Sequence, residues 1–427
     1  MAVDAAVEST PRRAYARLWR WHFYAAFLVI PFVLWQGGTG VLYLWHQEIA
    51  DVLWPQLRFV EIGEQRASLD AQVEVAVIAH GGAPARLIKL PAAPDRSTEI
   101  VFDNGDGLIT PAFVDPYTGA HLGSVAATTW LPGLTRKLHG GWPLGDPGSW
   151  LLELGAGWTL VMVLTGLYLW WPRGRDGLAG VLYPRLTRSP RVFWRDLHCV
   201  VGVYFAGIFI AFLLTALPWT AFWGEQILRP LQRASGQTAP AALGFGPMAL
   251  KSIDDGSGRR LSLDQAVAIA RTEGLLGDLE IQPRSGDAPI GIALRQGRSS
   301  NERVLQIDRY RGVVLARVGW QDYPLIPKAV ATGVDLHEGT FFGRANQWFN
   351  TAVVAALYWL AFTGFIGWYR RRPTDRLGAP PRLPTPIPRP IRWTAIGVCV
   401  LLPLLGLSVL VVAALDTTLM RRRRQPT

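Results

Sequence analysis

The chain has seven histidines, and five of them, His22, His46, His139, His198 and His337, sit at or just beyond the ends of long apolar runs. An imidazole there can ligate a metal, carry a proton or anchor an interface. Spacing separates these roles. His139 and His337 are 198 residues apart, and Trp150, Thr165, Gly166 and Trp170 recur with the same offset at Trp348, Thr363, Gly364 and Trp368. His22 and His198 each follow an Arg/Trp cluster at the start of an apolar run. Parallel repeats are related by an axis along the membrane normal, which brings His22 to His198 at one depth and His139 to His337 at another. Two facing pairs at two depths are what two bis-histidine haems need, because haem iron takes axial imidazoles from facing helices. One histidine at headgroup level needs no ligand; four in two symmetric pairs favour ligation. Glycines at 37, 38, 40, 155, 157, 166, 202, 364 and 367 would let a flat macrocycle approach the backbone. His46 has no counterpart, since the 176-residue offset between His22 and His198 lands on Phe222. It reads as a substitute outer ligand or as an anchor beside Glu48. His80 and His121 also lack counterparts and read as surface residues.

Other chemistry lacks its residues. The two cysteines, Cys199 and Cys399, lie inside apolar runs, with no CxxC or CxxCH. That argues against disulfides, zinc sites and covalently attached haem, and leaves non-covalent haem. No phosphate-binding glycine motif and no HExxH occurs.

The elements that must carry these histidines are membrane helices. Half of the residues are hydrophobic, only 18% are charged, and the 19 Trp fit aromatic belts at membrane interfaces. The net charge of +11 is mostly Arg flanking apolar runs, a membrane-topology pattern that excludes nucleic acid as the partner and leaves lipid. Five runs are long enough to span, at 19–45, 149–171, 197–219, 346–369 and 392–415. The first is too long for a signal-peptide core and reads as an uncleaved anchor. Arg-rich segments 1–18, 172–196 and the Pro/Arg-rich linker 370–391 read as cytoplasmic, which puts 46–148 and 220–345 outside. A fifth span leaves the basic tail 416–427 outside, against the charge rule; the seven Arg from Arg370 to Arg392 outweigh the four of Arg421 to Arg424.

The outer segments repeat as well. Ser68-Leu69-Asp70 matches Ser262-Leu263-Asp264 as a helix start, and Asp115-Pro116-Tyr117-Thr118-Gly119 matches Asp308-Arg309-Tyr310-Arg311-Gly312 as a hairpin turn. The expected fold is an α-helical integral membrane protein of four to five spans, built as a parallel tandem repeat with two small α+β domains outside.

These motifs, together with Gly40 to Glu48 at the end of the first helix and Leu138-His139 and Leu336-His337 before Thr-Gly helices, resemble the PepSY-associated transmembrane family over nearly the whole chain. The resemblance implies a multi-pass protein of the bacterial inner membrane with periplasmic PepSY-like domains. Some members act as ferric-siderophore reductases holding two b-type haems, with electrons entering from a quinol or a cytoplasmic reductase. It therefore implies a ferric-chelate reductase linked to iron uptake. Basic and aromatic residues near the outer histidines, Arg136, Lys137, Trp142, Arg344 and Trp348, are the candidates to dock an anionic chelate. The alternative is a membrane-tethered PepSY binding or inhibitory module without redox activity.

Overall fold

The computed structural model describes residues 2–105, 108–141, 143–172, 177–240, 250–254, 256, 259–295, 297–380 and 387–422. Its helices are α1 (Ala2–Leu44), α2 (His46–Leu53), α3 (Pro55–Arg58), α4 (Leu69–Ala79), α5 (Leu131–His139), α6 (Gly145–Trp170), α7 (Pro190–Ala216), α8 (Arg229–Ala234), α9 (Leu263–Thr272), α10 (Leu325–His337), α11 (Arg344–Tyr369), α12 (Arg389–Leu401) and α13 (Pro403–Arg422). Two compact units result: residues 1–39, 139–228 and 349–427 form one, and 40–138 with 229–348 the other.

The first unit is helical. Four segments are long and apolar enough to cross a membrane: Ala14–Leu44, Gly145–Trp170, Pro190–Trp219 and Arg344–Tyr369. The chain is a multi-pass membrane protein by this measure. Helix α1 starts well before the span expected from residue 19. The fifth expected span, 392–415, is not one helix. It breaks at Leu402 into α12 and α13, because Pro403 has no N–H to continue the ladder and pushes the preceding residue out of the helical region, to φ −120° and ψ 83°. Among the described residues neither piece counts as a full span. The break packs inward: Leu402 and Leu405 are buried with Leu160 and Leu217, and Trp158 Nε1 donates to Ser408 Oγ at 3.1 Å.

The second unit corrects the expectation of two separate domains. Each repeat supplies one helix and four strands, but the strands join one eight-stranded antiparallel sheet. Their ranges are β1 (Leu87–Leu90), β2 (Thr98–Asp103), β3 (Ile109–Val114), β4 (His121–Ser124), β5 (Leu279–Gln282), β6 (Ile290–Leu294), β7 (Arg303–Ile307) and β8 (Val314–Gly319). The order is β4-β3-β2-β1-β5-β6-β7-β8, so the halves meet where β1 pairs β5, Ile88 opposite Ile281 and Leu90 opposite Leu279. Helices α4 and α9 bury Leu69, Ala76, Leu263 and Ala266 in the same apolar core as Ile88, Ile100, Ile281 and Ile292. Each fully buried Ile there contributes about 1.5–3 kcal/mol.

Ser68 and Ser262 cap α4 and α9, as their sequence matches predict, accepting from Ala71 N and Gln265 N at 3.2 and 3.1 Å. Asp70 also accepts from Leu263 N, and Asp264 from Leu69 N, each at 2.9 Å. Each helix thus carries a carboxylate at the N-terminus of the other, where the macrodipole favours it. The matching Asp-x-Tyr-x-Gly segments are the β3–β4 and β7–β8 turns, closed by Gly119 and Gly312 at φ 70° and 68°.

Candidate functional site

Helices α1 and α7 bring His22 and His198 together. Their ring centres are 6.3 Å apart and the planes are perpendicular. Metal–imidazole bonds of about 2 Å on either side of one ion separate coaxial rings by about 6 Å, so the pair has the span of two axial ligands. Each ring is held from a different helix. His22 Nδ1 lies 3.0 Å from Thr165 Oγ1 of α6, and His198 Nδ1 lies 3.1 Å from Thr363 Oγ1 of α11.

The threonines decide the tautomer. Thr165 donates its single hydroxyl proton to Val161 O at 2.7 Å, and Thr363 donates to Trp359 O at 2.7 Å. Each hydroxyl oxygen can then only accept from the imidazole, which puts the histidine proton on Nδ1 and the lone pair on Nε2. A ligating histidine fixed through its other nitrogen has this arrangement. Besides these hydroxyls, the rings have the backbone carbonyls of Met162 and Leu360 as neighbours in hydrogen-bond reach. The next residue in each threonine helix is glycine. A Cβ at Gly166 would stand 3.3 Å from His22 Cε1, and one at Gly364 would stand 3.4 Å from His198 Cε1. The other glycines expected to admit a macrocycle serve helix packing where a contact is recorded: Gly37 meets Tyr358, Gly155 meets Phe32 and Gly157 meets Leu405.

His139 ends α5, and its Nδ1 is 3.0 Å from Thr39 Oγ1, whose proton goes to Trp35 O at 2.9 Å. The same logic gives His139 the same tautomer. Burial pushes its pKa down, favouring the neutral ring that ligation requires. Gln36 donates to His139 O at 3.2 Å, while its own Oε1 is buried without a partner among the described residues. His337 ends α10, the repeat counterpart of α5. In sequence, the 176-residue offset places Thr215 at the position equivalent to Thr39.

His46 differs. Its Nδ1 bonds to Tyr43 O, and its Nε2 takes the Gln47 amide at 3.0 Å, so both ring nitrogens are engaged. The ring stacks on Tyr43 at 4.8 Å. Burial lowers its pKa, with the Tyr43 carbonyl opposing.

Of the docking candidates, Arg344 is ion-paired with Glu48, and Trp348 is exposed and packs edge-on against Trp45 at 4.7 Å. Arg136 is exposed beside Glu338, whose pKa rises through burial while Arg136 opposes the rise. Lys137 is half-buried, and Trp142 lies outside the described residues. The sequence singled out Thr165 and Thr363 only as repeat markers, and Thr39 not at all; the offset shared with the histidines was the available signal.

Compared with known protein families, residues 19–371 match the PepSY-associated TM region. The chain belongs to that family. No curated protein sequence matches it significantly. The family match covers α6, α7, the sheet unit and α11, and with them all seven histidines.

Proposed function

We propose that this PepSY-associated TM protein is a di-haem electron carrier of the bacterial inner membrane that reduces ferric iron, held by a siderophore or another chelate, at its periplasmic face. The observation that carries the reading is the His22–His198 pair, with ring centres 6.3 Å apart and Thr165 and Thr363 fixing each Nδ1 so that Nε2 is the nitrogen left to ligate. His139, with Thr39 behind it, and His337 are the proposed outer ligands. Two b-type haems would supply one-electron carriers at two depths. The protein's own part is to hold His22, His198 and His139 in one tautomer and, through Gly166 and Gly364, to leave room beside the inner rings. Arg136, Lys137, Trp142, Arg344 and Trp348 are the proposed docking residues for an anionic ferric chelate. The donor class is a quinol or a cytoplasmic reductase. Reduction releases iron because Fe²⁺ suits hard oxygen ligands less well than Fe³⁺, so no hydrolysis is needed.

Protein expressed with haem supplementation should carry about two haems per chain and show the sharp near-ultraviolet band of bis-histidine haem. Dithionite-reduced protein should be reoxidised by ferric chelates under anaerobic conditions. A colourless, fully folded protein would leave only the tethered binding module.

A further inference from the structure

The cytoplasmic end of the first unit carries many arginines, and most of them have an acceptor or a place. Arg185 and Arg195 are paired with the buried Asp196 at 2.7 and 2.8 Å. Arg20 donates to Pro380 O. Arg372 lies over Trp368 and Tyr369 at the end of α11. Arg371 is different. Its guanidinium lies 4.4 Å from the Trp19 ring and 5.8 Å from the Phe23 ring, on α1. Its charged neighbour is Arg191, another cation. Among the described residues Arg371 has no carboxylate, carbonyl or hydroxyl acceptor. The Arg371 guanidinium, packed against two aromatic rings, is repelled by the exposed Arg191, and an anion between them would relieve that repulsion.

Its position says which anion. Trp19 is one turn before His22 on α1, and Phe23 follows His22 directly. Arg371 lies in the turn just beyond the end of α11, seven residues after Gly364, the glycine that meets His198, and so on the cytoplasmic side of that contact. Arg371 therefore closes, from that side, the space bounded by the His22 helix and the helix that supports His198. A b-type haem held by His22 and His198 would have two propionates as its only charged substituents, and Arg371 and Arg191 are the residues that would hold them at this end. Planar, bidentate carboxylate recognition is what a guanidinium does best.

We propose that Arg371, with Arg191 beside it, clamps the propionates of the haem ligated by His22 and His198; this rests on the di-haem reading above. The same guanidiniums could instead hold a lipid phosphate, and the test separates the two. Full-length wild type, Arg371→Gln, Arg371→Lys and Arg191→Gln are reconstituted in nanodiscs of zwitterionic lipid only. Haem transfer to apomyoglobin and potentiometric titration are followed. A charge-assisted hydrogen bond lost from a bound group corresponds to about tenfold weaker holding, so Arg371→Gln should release one of its two haems about tenfold faster and lower that haem's midpoint potential. The second haem should be unchanged, Arg371→Lys should recover most of the potential, and Arg191→Gln should shift it in the same direction. Wild-type release and potentials in Arg371→Gln overturn the clamp and leave the di-haem reading standing. The same result accompanied by loss of bound anionic lipid in native mass spectra, from protein purified with its own lipids, assigns the site to a headgroup. A wild type that binds no haem overturns both.

Discussion

The protein contains two pairs of histidines with almost the same geometry. His22 and His198 have ring centres 6.3 Å apart at 90°; His80 and His121 have theirs 6.1 Å apart at 79°. Ring spacing alone would make both metal sites. The surroundings separate them. In the first pair each Nδ1 meets a threonine hydroxyl whose proton is already spent on a helix carbonyl, so both Nε2 atoms are acceptors. In the second, His80 lies flat on Phe102 at 4.1 Å and bonds to Ala76 O, while His121 uses its Nε2 on Ser124 Oγ at 3.1 Å. The second pair also occurs in one repeat only. His80, held through Nδ1 by a carbonyl, has the arrangement of the first pair, so what separates the two pairs is the His121 Nε2 already engaged by Ser124, not the distance between the rings.

The largest effect that could break this comparison is loss of a ligand. His22→Ala and His198→Ala should each reduce the haem content from about two to about one per chain, whereas His80→Ala and His121→Ala should leave it unchanged. Pyridine haemochromogen assay on purified protein decides it. At the outer pair, His139→Ala and His337→Ala should each leave about one haem, the complementary one by spectrum. If His46→Ala lost a haem while His139→Ala kept two, His46 would be the outer ligand, and engagement of both its nitrogens would have been the wrong criterion.

A smaller effect tests the threonines. Thr165→Val and Thr363→Val keep the shape but remove the acceptor that fixes Nδ1–H. Second contacts of this kind typically change metal affinity by 10–100-fold, so the inner haem should be held about that much more weakly and not lost outright. Thr39→Val should do the same at the outer site, and by the repeat so should Thr215→Val. Haem-transfer rates equal to wild type in Thr165→Val would mean that ring spacing, not tautomer, sets the site.

The sequence carried the histidines because two offsets, 176 residues for His22 and His198 and 198 residues for His139 and His337 with the Thr-Gly pairs, repeat them, and a periodic signal survives without any three-dimensional information. It could not carry the tautomer. That depends on which carbonyl Thr165 finds within its own helix, and the same Thr in a turn would be a donor. The outer repeats were legible singly, through Ser68 and Ser262 and through the two Asp-x-Tyr-x-Gly turns. Their fusion was not. The pairing of Ile88 with Ile281 joins strands more than 190 residues apart, and an apolar edge strand looks the same in sequence whether it is covered or paired. The span 392–415 was read from length and apolarity alone, and Pro403 inside it is what breaks the helix.

The smallest expected effect concerns His80 and His121. Burial, and then the neighbouring His80, hold the His121 pKa below 6.5. Between that lowered value and 6.5 the unfolded chain binds more protons than the folded one, so stability rises with pH across the window. The contribution is fully present above 6.5 and is lost as pH falls through the folded value. His121 is only half-buried, and solvent screening keeps the effect small. Hydrogen exchange of β3 and β4 should therefore quicken slightly as pH is lowered below 6.5, after correction for intrinsic rates. His121→Gln should flatten that dependence with the haem spectrum untouched. A metal held between the two rings would behave in the opposite way: micromolar zinc or copper would slow exchange in β4, and His121→Gln would abolish the protection. Protection by added metal would show that the two pairs are alike after all, and that a threonine behind the ring is not what makes a ligand.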